Sequence, residues 1–173
     1  MRISLMASLL LGCSLFAVDY SSMIESPNAS TIIQKDLLGS AKASTMPTDC
    51  ISTDPKAIAR GAFIFHNLNG ETKDTPPEGL SKKNSDGSEK QFGNCIACHN
   101  IEGAKGAGNI GPDLHNYKKN FIDSGARNDQ FVYQKIADAR IDNPNTHMTI
   151  NLTTGLFNQR EICDIASYIV SPK

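Results

Sequence analysis

The chain has no tryptophan, and phenylalanine and tyrosine are so sparse that aromatics make up 6% of its 173 residues. Most of any interior must therefore come from Ile, Leu and Ala, together with whatever apolar group the chain holds. There is no basic excess: 17 Lys and Arg face 18 Asp and Glu, for a net charge of −1. That balance gives no footprint for nucleic acid. No alternating strand pattern and no internal repeat is visible, which excludes a β-rich or solenoid architecture. Long apolar runs are also missing. The nearest is residues 3–18, interrupted by Ser4, Ser8, Gly12, Cys13 and Ser14 and too short for a membrane span. Cysteine is scarce, and no second C-x-x-C or H-x-H group accompanies the one paired set, so a structural zinc site lacks its ligands.

That early apolar run, preceded by Arg2, reads as a secretory signal over residues 1–17, cleaved after Ala17. The alternative is a lipoprotein signal, Leu10-Leu11-Gly12-Cys13, which would leave Cys13 lipidated. Either form implies export, with a bacterial periplasm as the expected address. Removing the leader takes Arg2 and no acid, moving the net charge from −1 to −2. The remaining chain of about 155 residues suffices for one domain with its own core. Residues 18–53 form an N-terminal extension. Within it Ile32, Ile33, Leu37 and Leu38 suit a short amphipathic helix ended by Gly39, followed by a small, polar, loop-like stretch. Residues 54–173 form the domain.

What is present at its centre is Cys95-Ile96-Ala97-Cys98-His99. This C-x-x-C-H run is the attachment site of a c-type haem. The two-residue gap lets both sulfurs reach neighbouring vinyl groups from one helical turn. His99, following at once, can bind the iron from the proximal side. A redox dithiol would instead follow a strand in a βαβ unit, whereas a polar loop precedes Cys95. One covalent haem c is therefore expected.

Three helices surround the motif in the sequence pattern. Asp54-Pro55 starts the first, with Ile58, Gly61, Ala62 and Phe65 on one face and Asn69-Gly70 at its end. Gly61, lacking a Cβ, lets another helix cross closely. The second spans residues 128–140, with Val132, Ile136 and Ala139 on one face and Phe131 and Lys135 beside them. The third is capped by Asn158 with Glu161 three residues later, and carries Ile162, Ile165, Ala166 and Ile169 as its stripe. Residues 71–91 are polar, hold Pro76-Pro77, and read as a surface loop or a partner-facing flap. Glycines at 103, 106 and 108 lead into Asn109-Ile110-Gly111-Pro112-Asp113-Leu114, a tight wrap in which Pro112 can offer its carbonyl to His99 Nδ1.

No strands, helices on both sides of one C-x-x-C-H and a late candidate ligand describe an all-α, class I cytochrome c-like fold. The distal ligand should come from the loop before the last helix, where His147 and Met148 stand side by side. Met148 would give a high potential and His147 a lower one. His66, His115 and Met46 are weaker candidates. If protein fills both axial positions, the chain moves electrons and binds no substrate at the metal. Cys50 and Cys163 are left over in an oxidising compartment, where a disulfide is the default. It would close a loop worth at most ~4–5 kcal/mol on the chain-entropy account.

The run from Phe92 through His99 to Leu114, with Asn143-Pro144-Asn145-Thr146-His147-Met148, resembles the SoxX family, the monohaem cytochrome c subunits of SoxAX complexes in bacterial sulfur oxidation. The resemblance covers roughly residues 54–172. It implies Cys95 and Cys98 as thioether sites, His99 as proximal ligand and Met148 as distal ligand. It also implies a role as electron-transfer subunit of an L-cysteine S-thiosulfotransferase, with the nucleophilic cysteine on a SoxA-like partner. A SoxY–SoxZ-like carrier would be the transient substrate protein and a downstream cytochrome c the acceptor. The chain departs from the family after Met148, where Thr149-Ile150-Asn151 stand in place of the usual prolines and aromatic. Two other readings compete. One is an independent periplasmic electron carrier docking through Lys105, Lys118 and Lys119. The other is a sensor module with an open distal site.

Overall fold

A computed structural model describes residues 39–173. The leader, Cys13 and the expected helix around Ile32 to Leu38 lie outside the described residues. Three helices carry the fold: α1, Pro55–His66; α2, Asp129–Ala137; and α3, Gln159–Val170. Among the described residues there is no strand, only the isolated bridges Asn69 to Gln91 and Lys83 to Glu89. The all-α expectation is met.

Helix α1 begins as the sequence indicates: Asp54 Oδ1 accepts the Lys56 N–H at 3.0 Å, and Pro55 fills the first helical position. It ends at His66, earlier than Asn69-Gly70. Asn67 is extended, and its carbonyl accepts the Asn94 N–H at 2.9 Å, while Leu68 accepts from Phe92 at 2.8 Å. Burial is also wider than the expected stripe. Ala57, Arg60, Gly61, Phe63, Ile64 and Phe65 are buried, and Ile58 and Ala62 only half-buried.

Helix α1 packs mainly on α3. A Cβ on Gly61 would overlap the Asp164 carbonyl, so glycine sets the closeness of the crossing. Beside it Arg60 donates from Nε and Nη2 to the two Asp164 carboxylate oxygens at 2.7 and 2.9 Å, with both side chains buried. Farther along, His66 Nε2 and Tyr168 Oη lie 2.8 Å apart. The expected capping box is present on α3: Asn158 Oδ1 accepts from Glu161 N, and Glu161 Oε2 from Asn158 N, each at 3.0 Å.

Helix α2 stops at Ala137 and not at Arg140. Asp138 leaves helical geometry, and its carboxylate takes the Arg140 N–H at 3.0 Å. A short 3₁₀ turn, Ala139–Ile141, follows. Residues 44–52 strap the outside of this frame. The Ser44 and Met46 N–H groups donate to Gln134 Oε1 and Gln130 Oε1 at 2.6 and 2.8 Å, and Ser52 N to Ser167 Oγ at 2.9 Å. The segment 71–91 lies on the surface, as its composition implies, folded into a small hairpin by the pairs Gly70 N to Lys90 O and Lys90 N to Lys82 O, both 2.9 Å. Lys90 ties it to Glu161 of α3 at 2.7 Å.

Cys50 and Cys163 form the expected disulfide, joining this strap to α3 across a sequence separation of 113. Most of its effect falls on the unfolded chain, which loses loop-closure entropy. We expect the double substitution Cys50→Ser and Cys163→Ser to lower stability by about 2–5 kcal/mol, read as a lower denaturant midpoint with a steeper slope, because the unbridged unfolded chain exposes more surface.

Candidate haem cleft

A cleft of about 510 Å³ opens between the motif, α2, α3 and the loop before α3. Its size falls in the range of about 300–1,000 Å³ usual for cofactor sites. One wall is built by backbone pairing. Gly93 N donates to Ile64 O at 3.0 Å, which docks the chain on α1, and Asn94 turns it through the left-handed region with φ 43°. A 3₁₀ turn, Cys95–Ala97, follows. The N–H groups of Cys98 and His99 both donate to the Cys95 carbonyl, at 3.1 and 2.9 Å. Cys95, Cys98 and His99 thus come from one tight turn, and all three line the cleft.

The two motif cysteines are free and not bridged to each other. Burial pushes the Cys95 thiol up to about 12.

The 108–114 loop is laced onto the motif. Gly108 N donates to Ile96 O, Gly111 N to Cys98 O and Leu114 N to Asn100 O, at 2.8 to 2.9 Å. Gly111 lies against the imidazole itself, and a Cβ there would come within 2.6 Å of His99 Nδ1. The result is that His99 Nδ1 sits 2.8 Å from the Pro112 carbonyl. A carbonyl can only accept, so Nδ1 carries the proton and Nε2 keeps its lone pair for a metal.

The remaining walls are apolar, with Phe65 from α1, Val132 and Ile136 from α2, Ile165 and Ile169 from α3, and Phe157. The loop before α3 brings both His147 and Met148 to the cleft, His147 exposed and Met148 half-buried. The other three candidates stay outside the lining. His66 is bound to Tyr168, and burial, then the nearby Lys173 charge, lowers its pKa. His115 Nδ1 lies 2.6 Å from Asp113 Oδ1. Met46 packs on the core.

Several lining residues were not anticipated. Tyr117 and Phe121 are brought in by a π-helical turn, Lys118–Ile122, which no hydrophobic period signals. Arg127 and Lys135 lie 4.6 and 5.1 Å from the Phe131 ring centroid, and all three line the cleft. The four-residue spacing of 131 and 135 on α2 was the available signal, while Arg127 precedes the Asn128 cap and no helical spacing points to it.

Two free thiols and a tautomer-fixed imidazole on one wall, a thioether and a second imidazole on the loop before α3, and apolar side chains between them fit a covalently attached haem. Among the described residues no cluster of three or more His, Cys, Asp or Glu offers an alternative metal site. The fold and cleft together define a haem-binding electron-transfer domain. The family pattern of cytochrome c matches residues 58–173, and the chain belongs to that family. Its members carry haem c bound covalently. A search of curated proteins finds no match to the chain.

Gly111→Ala should force His99 off the Pro112 carbonyl, an overpacking cost of about 1–3 kcal/mol. We expect a lower yield of haem-loaded protein, measured as haem absorbance per unit of purified chain.

Proposed function

We propose that the chain is a one-electron carrier holding a single haem c through Cys95 and Cys98, with His99 as proximal and Met148 as distal ligand. The observation that carries this reading is the His99 Nδ1 to Pro112 carbonyl contact at 2.8 Å, on a cleft that Met148 also lines. Bound haem supplies a one-electron ferric/ferrous couple. The Pro112 carbonyl holds the proton on Nδ1 and makes Nε2 a stronger donor. Met148 offers a soft thioether, which raises the potential. The apolar lining excludes water and disfavours additional charge. Met148 is preferred to His147 because it is half-buried while His147 is exposed. If His99 and Met148 both hold the iron, the chain would leave no place for a substrate at the metal.

In its finer form the reading is that of a SoxX-like subunit acting in the periplasm beside a SoxA-like cytochrome. Joining a carrier cysteine thiol to thiosulfate makes one S–S bond and releases two electrons and a proton. The SoxA-like partner would bring the nucleophilic sulfur, a SoxY–SoxZ-like carrier the substrate thiol, and a downstream cytochrome c would accept the electrons. The thiol inventory agrees with this reading and equally with an independent carrier. Among the described residues Cys50 and Cys163 are bridged, and Cys95 and Cys98 belong to the motif, so no other thiol is left for sulfur chemistry. The alternative, an independent electron carrier docking through lysines, fits the same surface: Lys105 and Lys119 are exposed, and the Lys118 pair with Asp123 is solvent-accessible and weak.

Met148→Ala should lower the haem midpoint potential in a spectroelectrochemical titration. An unchanged potential would remove Met148 from the iron. Affinity capture of the full chain from its native cells should bring down a second haem-staining protein with a reactive cysteine. A lone monohaem chain would favour the independent carrier.

A further inference from the structure

Because α2 ends at Ala137, the carbonyls of Ile136 and Ala137 lack the donors that a longer helix would supply. The Arg140 N–H, which would have served Ile136, goes to Asp138 instead. Three donors from beyond the distal loop fill the gap. Asn151 Nδ2 donates to Ile136 O at 2.6 Å, and the N–H groups of Asn151 and Leu152 donate to Ala137 O at 3.0 and 3.1 Å. Asn151 is 4% exposed. Its Oδ1 accepts the Thr149 hydroxyl at 2.8 Å, and its carbonyl accepts the Phe157 N–H at 3.2 Å. At the upstream end of the same loop, Asn143 N donates to Ala139 O at 3.1 Å. The downstream end of the loop is therefore tied to the end of α2 and the upstream end to the 3₁₀ turn that follows it, and Met148 lies between them, its N–H held by Thr146 Oγ1 at 3.1 Å. Packing contributes little in between, since Asn145, His147 and Thr149 are exposed.

We propose that Asn151 is a positioning residue for the distal ligand: its side chain, clamped between Ile136 O and the Thr149 hydroxyl, latches the loop so that Met148 is presented to the cleft. The inference rests on the reading of Met148 as distal ligand. The clamp is directional. The Ile136 carbonyl can only accept, so the amide nitrogen must face it and the amide oxygen is left to take the Thr149 hydroxyl; turning the amide over would set two acceptors against each other at Ile136. Aspartate at this position would keep the shape, remove the donor and set a charge against the Ile136 carbonyl. Valine at 149 would remove one arm only.

The test uses haem-loaded full-length protein with four single substitutions: Asn151→Asp, Thr149→Val, Met148→Ala, and Tyr168→Phe as a control that does not line the cleft. Three quantities are read: the thioether-to-iron absorption band, the midpoint potential and the affinity for added imidazole. For Asn151→Asp we expect unchanged haem content and helical circular dichroism, a weakened band, a potential shifted toward that of Met148→Ala, and imidazole binding about tenfold tighter, the factor that one buried hydrogen bond controls. Thr149→Val should fall between this variant and the parent. Tyr168→Phe should lower thermal stability without moving the three readouts. If Asn151→Asp loses stability but keeps the parent band, potential and imidazole affinity, Asn151 is only structural and the proposal fails. If Asn151→Asp does not accumulate, Thr149→Val decides by the same criteria. If Met148→Ala itself leaves band and potential unchanged, the ligand reading fails, whatever Asn151 does.

Discussion

The close crossing of α1 over α3 is the constraint on which the rest depends. Gly61 admits the Asp164 backbone, and Arg60 grips the Asp164 carboxylate at 2.7 and 2.9 Å beside it. Taking two charges out of water is expensive, and a buried pair of this kind adds little net stability over a well-packed apolar substitute. Its bidentate geometry, however, admits one register and one separation of the helices. A slide of one helical turn would strand both charges, at a cost of about 3–5 kcal/mol. The Cys50–Cys163 bridge fixes the neighbouring residue of α3 to the N-terminal strap, so the same point is held covalently from its other flank.

From that crossing the cleft is built outward by backbone groups. The exit of α1 frees the Asn67 and Leu68 carbonyls, these receive Asn94 and Phe92, and the motif turn begins where this pairing stops. The proximal wall is therefore continuous with the helix frame through main-chain hydrogen bonds, and the Pro112 carbonyl that orients His99 is laced to the same turn. The distal side differs in kind. It is a largely exposed loop whose downstream end is pinned to the carbonyls that α2 leaves open and whose upstream end is tied to the 3₁₀ turn that follows. In the proposed reading, one ligand would be held by the fold, and the other by a few hydrogen bonds at the fringe of the fold. A carrier in which a small number of polar contacts sets the distal ligand can adjust its potential without disturbing its core.

What could be read from the residues followed from chemistry that is local in sequence. Cys95, Cys98 and His99 announce themselves because attachment to one ring demands that spacing. Asp54-Pro55 and the Asn158 and Glu161 pair are legible because capping satisfies donors within one turn. Gly61 is legible because only an unsubstituted Cα admits so close a neighbour. The misreadings were of effects that are remote. The end of α1 depends on residues some twenty-five positions later, and Asn69-Gly70 looked like the stronger stop. The break after Ala137 comes from Asp138 competing for the Arg140 N–H, a contest that helical periodicity does not register. Arg60 and Asp164 are charged residues that a stripe of apolar positions assigns to solvent, and only the partner on the other helix makes their burial tolerable. The choice between His147 and Met148 could not be made from adjacency alone. In the proposed reading it turns on burial, Met148 being half-buried and His147 exposed.

The departures from the SoxX pattern after Met148 gain a meaning from this geometry. A loop stiffened by proline is ordered by lost chain freedom, because proline has already surrendered its φ rotation. Thr149-Ile150-Asn151 cannot work that way. These residues order the loop through bonds formed only in the folded state: Thr149 to Asn151, and Asn151 to Ile136. Ordering by side-chain bonds costs rotamer entropy, which the buried amide offsets by satisfying a carbonyl that would otherwise be orphaned. The helix terminus and the ligand loop thus solve one problem together. The early end of α2 creates unpaired acceptors, and satisfying them fixes the loop that carries Met148.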